Sequence, residues 1–131
     1  MEELNHSLCG LVREVAEDYQ ISLSDDEPNQ MFRSLIRQLS EKEQVVILLD
    51  EYDKPILNNL GESHAQDILD KLKAFYSVVK AFESRARFVF VTDVSKFCHV
   101  SLFSDLNNLT DITMYRDYAM MFGYTQEEFE K

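Results

Sequence analysis

VVILLDEYDKPI, residues 45–56, is the stretch on which the fold turns. Five aliphatic residues, two of them Val and one Ile, run from Val45 to Leu49 and stop at the acidic pair Asp50 and Glu51. A short, continuous apolar run bounded by charge predicts a strand buried on both faces of a parallel sheet, and hence the centre of the fold. Asp50 and Glu51 then fall at the carboxyl end of that strand, the end beyond which open parallel sheets bind their ligands. Acidic residues also end strands simply because the chain is re-entering solvent, and these twelve residues by themselves leave both readings open.

Downstream, Arg87–Thr92 (RFVFVT) is a second apolar, β-branched run. Pro55 and Gly61 break the chain between the two runs. Ser63 and Gln66 then have the spacing of a capping box opening a long helix, with Ala65, Ile68, Leu69, Leu72, Phe75, Val79 and Phe82 inward. Strand, helix, strand in that order is the crossover unit of a parallel sheet, so the fold class is α/β. Upstream, Leu4, Leu8, Leu11, Val12, Val15 and Tyr19 recur at helical spacing and predict an amphipathic helix ending near Gln20. Pro28 opens a second helix with Phe32, Leu35, Ile36 and Leu39 as its apolar stripe. Beyond Thr92 the pattern is mixed. Asp111–Met114 is a candidate edge strand, and Thr125 with Glu128 makes another capping box on a helix that the sequence leaves before its second turn, as expected of a chain cut from a longer ancestor.

Composition narrows the classes of function. The chain has 131 residues, 45% of them hydrophobic, enough for one domain with its own core. There are 24 acidic and 13 basic side chains, a formal net charge of -11, and no basic stripe, so direct nucleic-acid binding is not expected. Cys9 and Cys98 stand far apart, outside any ligand spacing for zinc. The acidic N-terminus lacks the order of a signal peptide and no apolar run approaches a membrane span, which suggests a cytoplasmic protein.

The strand ends carry the chemistry. In P-loop NTPases an Asp at such a position holds magnesium and a following Glu polarises the attacking water, the roles open to Asp50 and Glu51. If the second strand lies beside the first, Thr92 faces the same crevice and is placed to sense a γ-phosphate, although its β-branched side chain equally suits a strand for its own sake. Lys54 and Lys96 are within chain reach of a phosphate, but a lone Lys beside acidic residues more often makes a surface ion pair. A phosphate cradle of the form GxxxxGK[ST] is absent: the glycines are Gly10, Gly61 and Gly123, none followed by Lys. Other chemistries fit less well. Asp53 and Lys54 are adjacent, which fails the PD-(D/E)xK spacing, and His6, His64 and His99 have no nucleophile elbow. The acidic pair lies too far along the chain, with too few strand-helix units, for a receiver domain.

LLDEYDKPI, KAFYSVVK, RFVFVTDVSKF, VSLFSDLNNLTDITM and MFGYTQEEFE, in that order, resemble the bacterial AAA-ATPase-like domain family from about Leu8 to the end. The resemblance implies a P-loop NTPase core that uses ATP and magnesium, with Asp50 as the magnesium carboxylate, Glu51 as the water-activating base, Thr92 as the sensor and Lys96 at the nucleotide. It also implies a phosphate-binding strand and helix ahead of this region and often a PD-(D/E)xK nuclease-like domain after it. Where the family typically runs TGVSKF and FSGLNNL, this chain has Asp93 and Asp105, and a carboxylate beside a γ-phosphate is repulsive.

The expectation is therefore a partial P-loop-NTPase-type parallel sheet flanked by helices, a single domain incomplete at both ends. Residues 1–40 form its helical region, 45–92 its strand-helix-strand core and 93–131 a mixed C-terminal part. The activity expected of the family is ATP binding and hydrolysis, without turnover by this chain alone. The alternative is a non-catalytic interaction domain that meets a protein partner, or itself, through an exposed sheet edge.

Overall fold

A computed structural model describes residues 2–93, 109–121 and 124–130. Lys96 and Asp105, together with the VSKF motif, lie outside the described residues. The first helix, α1 (Glu2–Asp18), starts with Glu2 and Glu3, whose charges suit the positive end of the helix dipole. It is closed by Gln20 in the left-handed region at φ 55, where the Gln20 and Ile21 N–H groups reach back to the carbonyls of Glu17 and Ala16 at 3.0 and 2.8 Å. That is the double hydrogen bond of a Schellman stop with Gln in the place usually taken by Gly. The buried face is Leu8, Cys9, Val12 and Ala16, whereas Leu11, Val15 and Tyr19 are exposed. The expected stripe is thus turned toward Cys9 and Ala16, small residues that let α1 lie close against its neighbour α2, and the Cys9 thiol donates to the Asp26 carbonyl at 3.3 Å.

Helix α2 (Pro28–Ser40) begins at Pro28, whose missing N–H costs nothing in a first turn. Met31, Leu35 and Ile36 are buried along it, and Phe32 stacks on Phe75 with ring centroids 4.7 Å apart. After α2 comes β1 (Val45–Leu49), which pairs in parallel with β2 (Ala86–Val91). The register sets Ile47 opposite Val89 and Leu48 opposite Phe90, with a bulge at the start where Val45 faces Ala86 and Val46 faces Phe88. Arg87 is the extra residue of that bulge. Between the strands lie the four-residue helix α3 (Lys54–Leu57) and the seventeen-residue α4 (Ala65–Ala81). At about 1.5 Å per residue α4 is long enough to carry the chain back across the sheet. The Ser63–Gln66 capping box does not form: α4 opens at His64 without a side-chain cap, and Gln66 instead donates to Asp70 one turn along, at 3.0 Å.

The described residues form a mixed helix-and-strand fold with a small two-stranded parallel sheet flanked by helices. Ile47, Val45, Leu49, Ala86 and Val89 turn one face toward Ile36 of α2 and Val78, Val79 and Phe82 at the end of α4. A second cluster joins α1, α2 and α4 to Tyr52 and Ile56. The other face of the sheet is bare among the described residues: Val46 is 50%, Leu48 68% and Phe88 53% exposed. The expected burial of β1 on both faces is therefore wrong. An unbroken aliphatic run records that no polar residue is needed on either side, but it does not supply the second layer that would cover the outer side.

Asp111–Met114 is not a strand. The Asp111 carboxylate accepts the Thr113 N–H at 2.9 Å and Tyr115 N–H reaches the Ile112 carbonyl at 3.0 Å, so a local turn takes the backbone groups that a ladder would need. Farther on, the Thr125–Glu128 capping box does form, on the short helix α5 (Gln126–Phe129). One-sided burial has a direct test by urea unfolding. Leu72→Ala, at a site with no exposure, should lower stability by about 2–5 kcal/mol, and Leu48→Ala on the bare face should stay within about 0.5 kcal/mol.

Candidate functional site

The two strands end together. The Thr92 N–H donates to the Leu49 carbonyl at 2.9 Å as the last rung of the ladder, which places the Thr92 side chain beside Asp50. Its hydroxyl donates to Asp50 Oδ1 and accepts the Glu51 N–H at 3.0 Å. The Tyr52 N–H completes the junction by donating to the Thr92 carbonyl at 3.3 Å. A single hydroxyl thus sits between an exposed carboxylate and the backbone of the next residue.

Glu51 turns the chain at this point, with φ 48 in the left-handed region that non-glycine residues seldom adopt. The turn leaves Asp50 and Glu51 outside and sends Tyr52 and Asp53 inward, where Asp53 has no exposed surface. The Tyr52 ring meets Tyr76 of α4 edge-on at 6.1 Å, and the Tyr76 hydroxyl donates to the Tyr52 carbonyl at 3.3 Å. Tyr52 in turn directs its own hydroxyl at Asp93 Oδ2, 3.4 Å away. The Asp53 carbonyl accepts the Ile56 and Leu57 N–H groups, both at 3.0 Å, and so starts α3. Strand end, turn and α3 are one unit anchored on α4.

The charges follow from these contacts. Lys54 Nζ lies 2.6 Å from Glu51 Oε2. That hydrogen bond and the Glu51 charge, with a smaller contribution from Asp50, hold the Lys54 ammonium above its ordinary pKa. Lys54 is therefore in the surface ion pair expected of a lone Lys among carboxylates. Burial, reinforced by the neighbouring Asp53, pushes the Tyr76 hydroxyl up to about 12.

Of the residues singled out from sequence, Asp50, Glu51 and Thr92 are brought together at one point, and Asp93 stands at its margin. Lys96 lies outside the described residues. Tyr52, Asp53 and Tyr76 were not foreseen as parts of the site. The available signal was the aromatic inside the charged segment DEYDK, since a Tyr among carboxylates needs an apolar place for its ring.

Among the described residues no three His, Cys, Asp or Glu side chains converge to hold a metal. The fit to magnesium is of the kind that needs no such cage: this ion keeps most of its waters and takes one or two protein carboxylates together with phosphate oxygens. Asp50, exposed and oriented by Thr92, has the hard oxygen donors for that role. The fit to a nucleotide triphosphate is poorer. Gly61, at φ 88, serves the turn between α3 and α4, and nothing in the 131 residues forms a GxxxxGK[ST] cradle.

Residues 1–103 match the family described as "Predicted AAA-ATPase", the AAA-ATPase-like family, and the chain belongs to that family. The match starts earlier than the resemblance at Leu8 suggested and stops before the C-terminal TQEEFE. A curated relative from Azotobacter chroococcum mcd 1, described as "Uncharacterized protein in vnfD 5'region", is 44% identical over 113 residues, 84% of this chain and 22% of that protein. The chain thus spans about a fifth of the length of that relative. No solved structure matches the chain. Among the described residues no helix is long and apolar enough to cross a membrane.

Two measurements probe the junction. Thr92→Val removes the donor to Asp50 and the acceptor of the Glu51 N–H and should cost about 1 kcal/mol in urea unfolding, while Thr92→Ser, which keeps both bonds, should cost less. Tyr76 gives a pH signature. Its folded pKa is raised, so its contribution is fully present below the ordinary value of 10.0 and is lost as pH climbs toward about 12. Unfolding followed from pH 9 to 12 should show stability falling by about 2 kcal/mol more in the wild type than in Tyr76→Phe.

Proposed function

We propose that the Asp50–Glu51–Thr92 junction is the metal-and-water end of a P-loop-type ATPase domain. The observation that supports this most is the Thr92 hydroxyl spanning the two strand ends, with its donor on the Asp50 carboxylate and its acceptor toward the Glu51 backbone. In this reading the Asp50 carboxylate would hold magnesium, and the Thr92 hydroxyl, by occupying one of its oxygens, orients it. Glu51 is the group that orients and deprotonates the attacking water, and release of Lys54 from the ion pair frees its carboxylate for that task. Bound magnesium would supply neutralisation of phosphate charge. Lys96 is assigned a nucleotide contact on the family resemblance alone.

Phosphate binding depends chiefly on backbone amides and a Lys in a glycine-rich loop. Without that loop among these 131 residues, hydrolysis is assigned to longer proteins of the family and not to this chain alone, working in a cytoplasmic setting. The bare sheet face favours a second reading in which the chain is an interaction domain for a protein partner or a second copy. Its net charge of -11 argues against nucleic acid as that partner.

The nucleotide reading is tested with manganese as a magnesium surrogate. Millimolar manganese should broaden the amide NMR signals of residues 50–52 and 92 selectively, and Asp50→Asn should abolish the effect. The chain should hydrolyse ATP no faster than a protein-free blank. Broadening that ignores Asp50→Asn, or hydrolysis that survives Glu51→Gln, would remove the assigned roles.

A further inference from the structure

We infer that the exposed side of α1 is a docking surface for an amphipathic helix of another polypeptide, one that carries Leu or Ile along its contact face and Lys or Arg along one flank. The inference rests on the interaction reading above, in which the chain meets a protein partner, and places that contact on a helix instead of on the sheet. Three rows of side chains, each spaced i, i+4 and i+8, run side by side along α1. Leu8, Val12 and Ala16 form the buried row that packs on the core. Next to it stand Leu11, Val15 and Tyr19, which are 61%, 42% and 59% exposed. Tyr19 keeps the helical row although it follows the last residue of α1, because its N–H still donates to the Val15 carbonyl at 3.3 Å. The row beyond is Gly10, Glu14 and Asp18, all at the surface. A Cβ added at Gly10 would meet no atom within 4 Å, so the space at the head of that row is open. Eight residues of helix rise about 12 Å, and rows of this kind are the ridges against which a second helix packs.

The charges say what the second helix carries. Among the described residues Glu14 and Asp18 form no ion pair. Glu17 and Asp18 close α1 with no cation in its last turn, although that end of a helix is the negative end of its dipole. Arg13, the one Lys or Arg of α1, stands in neither exposed row. Uncompensated carboxylates beside an apolar row, at a helix end that already repels them, favour a partner with a cationic flank. A second copy is a poorer occupant, because it would set the same carboxylates against each other on a chain of net charge -11.

The probe is a fluorescein-labelled peptide of about 18 residues, built from Leu, Lys and Gln with Leu at alternating spacings of three and four, titrated with the intact chain and followed by anisotropy. Saturable binding is expected, with no binding of the counterpart that has Glu in place of Lys. The double variant Leu11→Ser, Val15→Ser changes two exposed positions and should weaken the Lys peptide about tenfold or more, with the far-UV circular dichroism of the chain unchanged. The double variant Glu14→Gln, Asp18→Asn should weaken it about threefold to tenfold at low salt and have less effect at high salt. Leu48→Ser, on the sheet, should leave binding as it is. Equal binding of a peptide of the same composition with its Leu residues scattered would overturn docking on α1, as would indifference to Leu11→Ser, Val15→Ser. Loss of binding on Leu48→Ser would also overturn it, moving the partner to the sheet and leaving the interaction reading in place. A chain that self-associates in size-exclusion chromatography until Leu11→Ser, Val15→Ser disperses it would give the surface to a second copy and overturn the basic partner. A monomer that binds no peptide would remove the inference and the interaction reading together.

Discussion

Parallel pairing of β1 with β2 is the constraint from which the remaining architecture derives. Strands that run the same way cannot be joined by a tight turn, so the chain must travel back to its starting edge before the second strand begins. Here the return is α4, and its last turns bring Val78, Val79 and Phe82 against Ile47. Helix α2 fills the remaining space on that face and α1 packs behind it, so the helical layer is ordered by its distance from the strands. The same pairing makes the site. Because the ladder continues one residue past β2, from the Thr92 N–H to the carbonyl of Leu49 at the end of β1, Thr92 arrives beside Asp50 without any loop having to be positioned for the purpose.

Elements declared by long periodic or continuous patterns could be read from sequence: α2, α4, both strands and their parallel order. The features that could not be read depend on neighbours. Leu11, Val15 and Tyr19 outweigh Cys9 and Ala16 in any hydrophobic count, yet the smaller pair is buried, since closeness of approach between helices decides the face. Asp111–Met114 has the β-branched residues of a strand, but one carboxylate captured the Thr113 N–H and made a turn. Of the site, the meeting of Asp50, Glu51 and Thr92 follows once the two strands are known to be adjacent. Burial of Asp53 beneath them does not, because an Asp in a run of charged residues reads as solvated until the turn that hides it is seen.

That turn holds its residues against local preference. The left-handed backbone at Glu51 costs about 1 kcal/mol, and it persists because its neighbour Tyr52 is over-determined. The Tyr52 ring is buried against Tyr76, its carbonyl is held by the Tyr76 hydroxyl, and its N–H is held by the Thr92 carbonyl. Two carboxylates are thereby presented at the surface by a backbone that is anchored immediately behind them. Sites that must keep a fixed geometry are commonly built in this way, with strain at the exposed residue and packing just inside it.

The exposed row of Val46, Leu48 and Phe88 has a colloidal consequence. A flat apolar patch beside a strand edge invites copies to stack, and the force that opposes stacking here is the mutual repulsion of chains carrying a net charge of -11. That repulsion is long-ranged only in dilute salt and vanishes near the isoelectric point of about 4.6. Separation of the copies would thus depend on the solvent as much as on the fold. Mild acid or concentrated salt would weaken that repulsion and leave the exposed row of Val46, Leu48 and Phe88 to bring copies together.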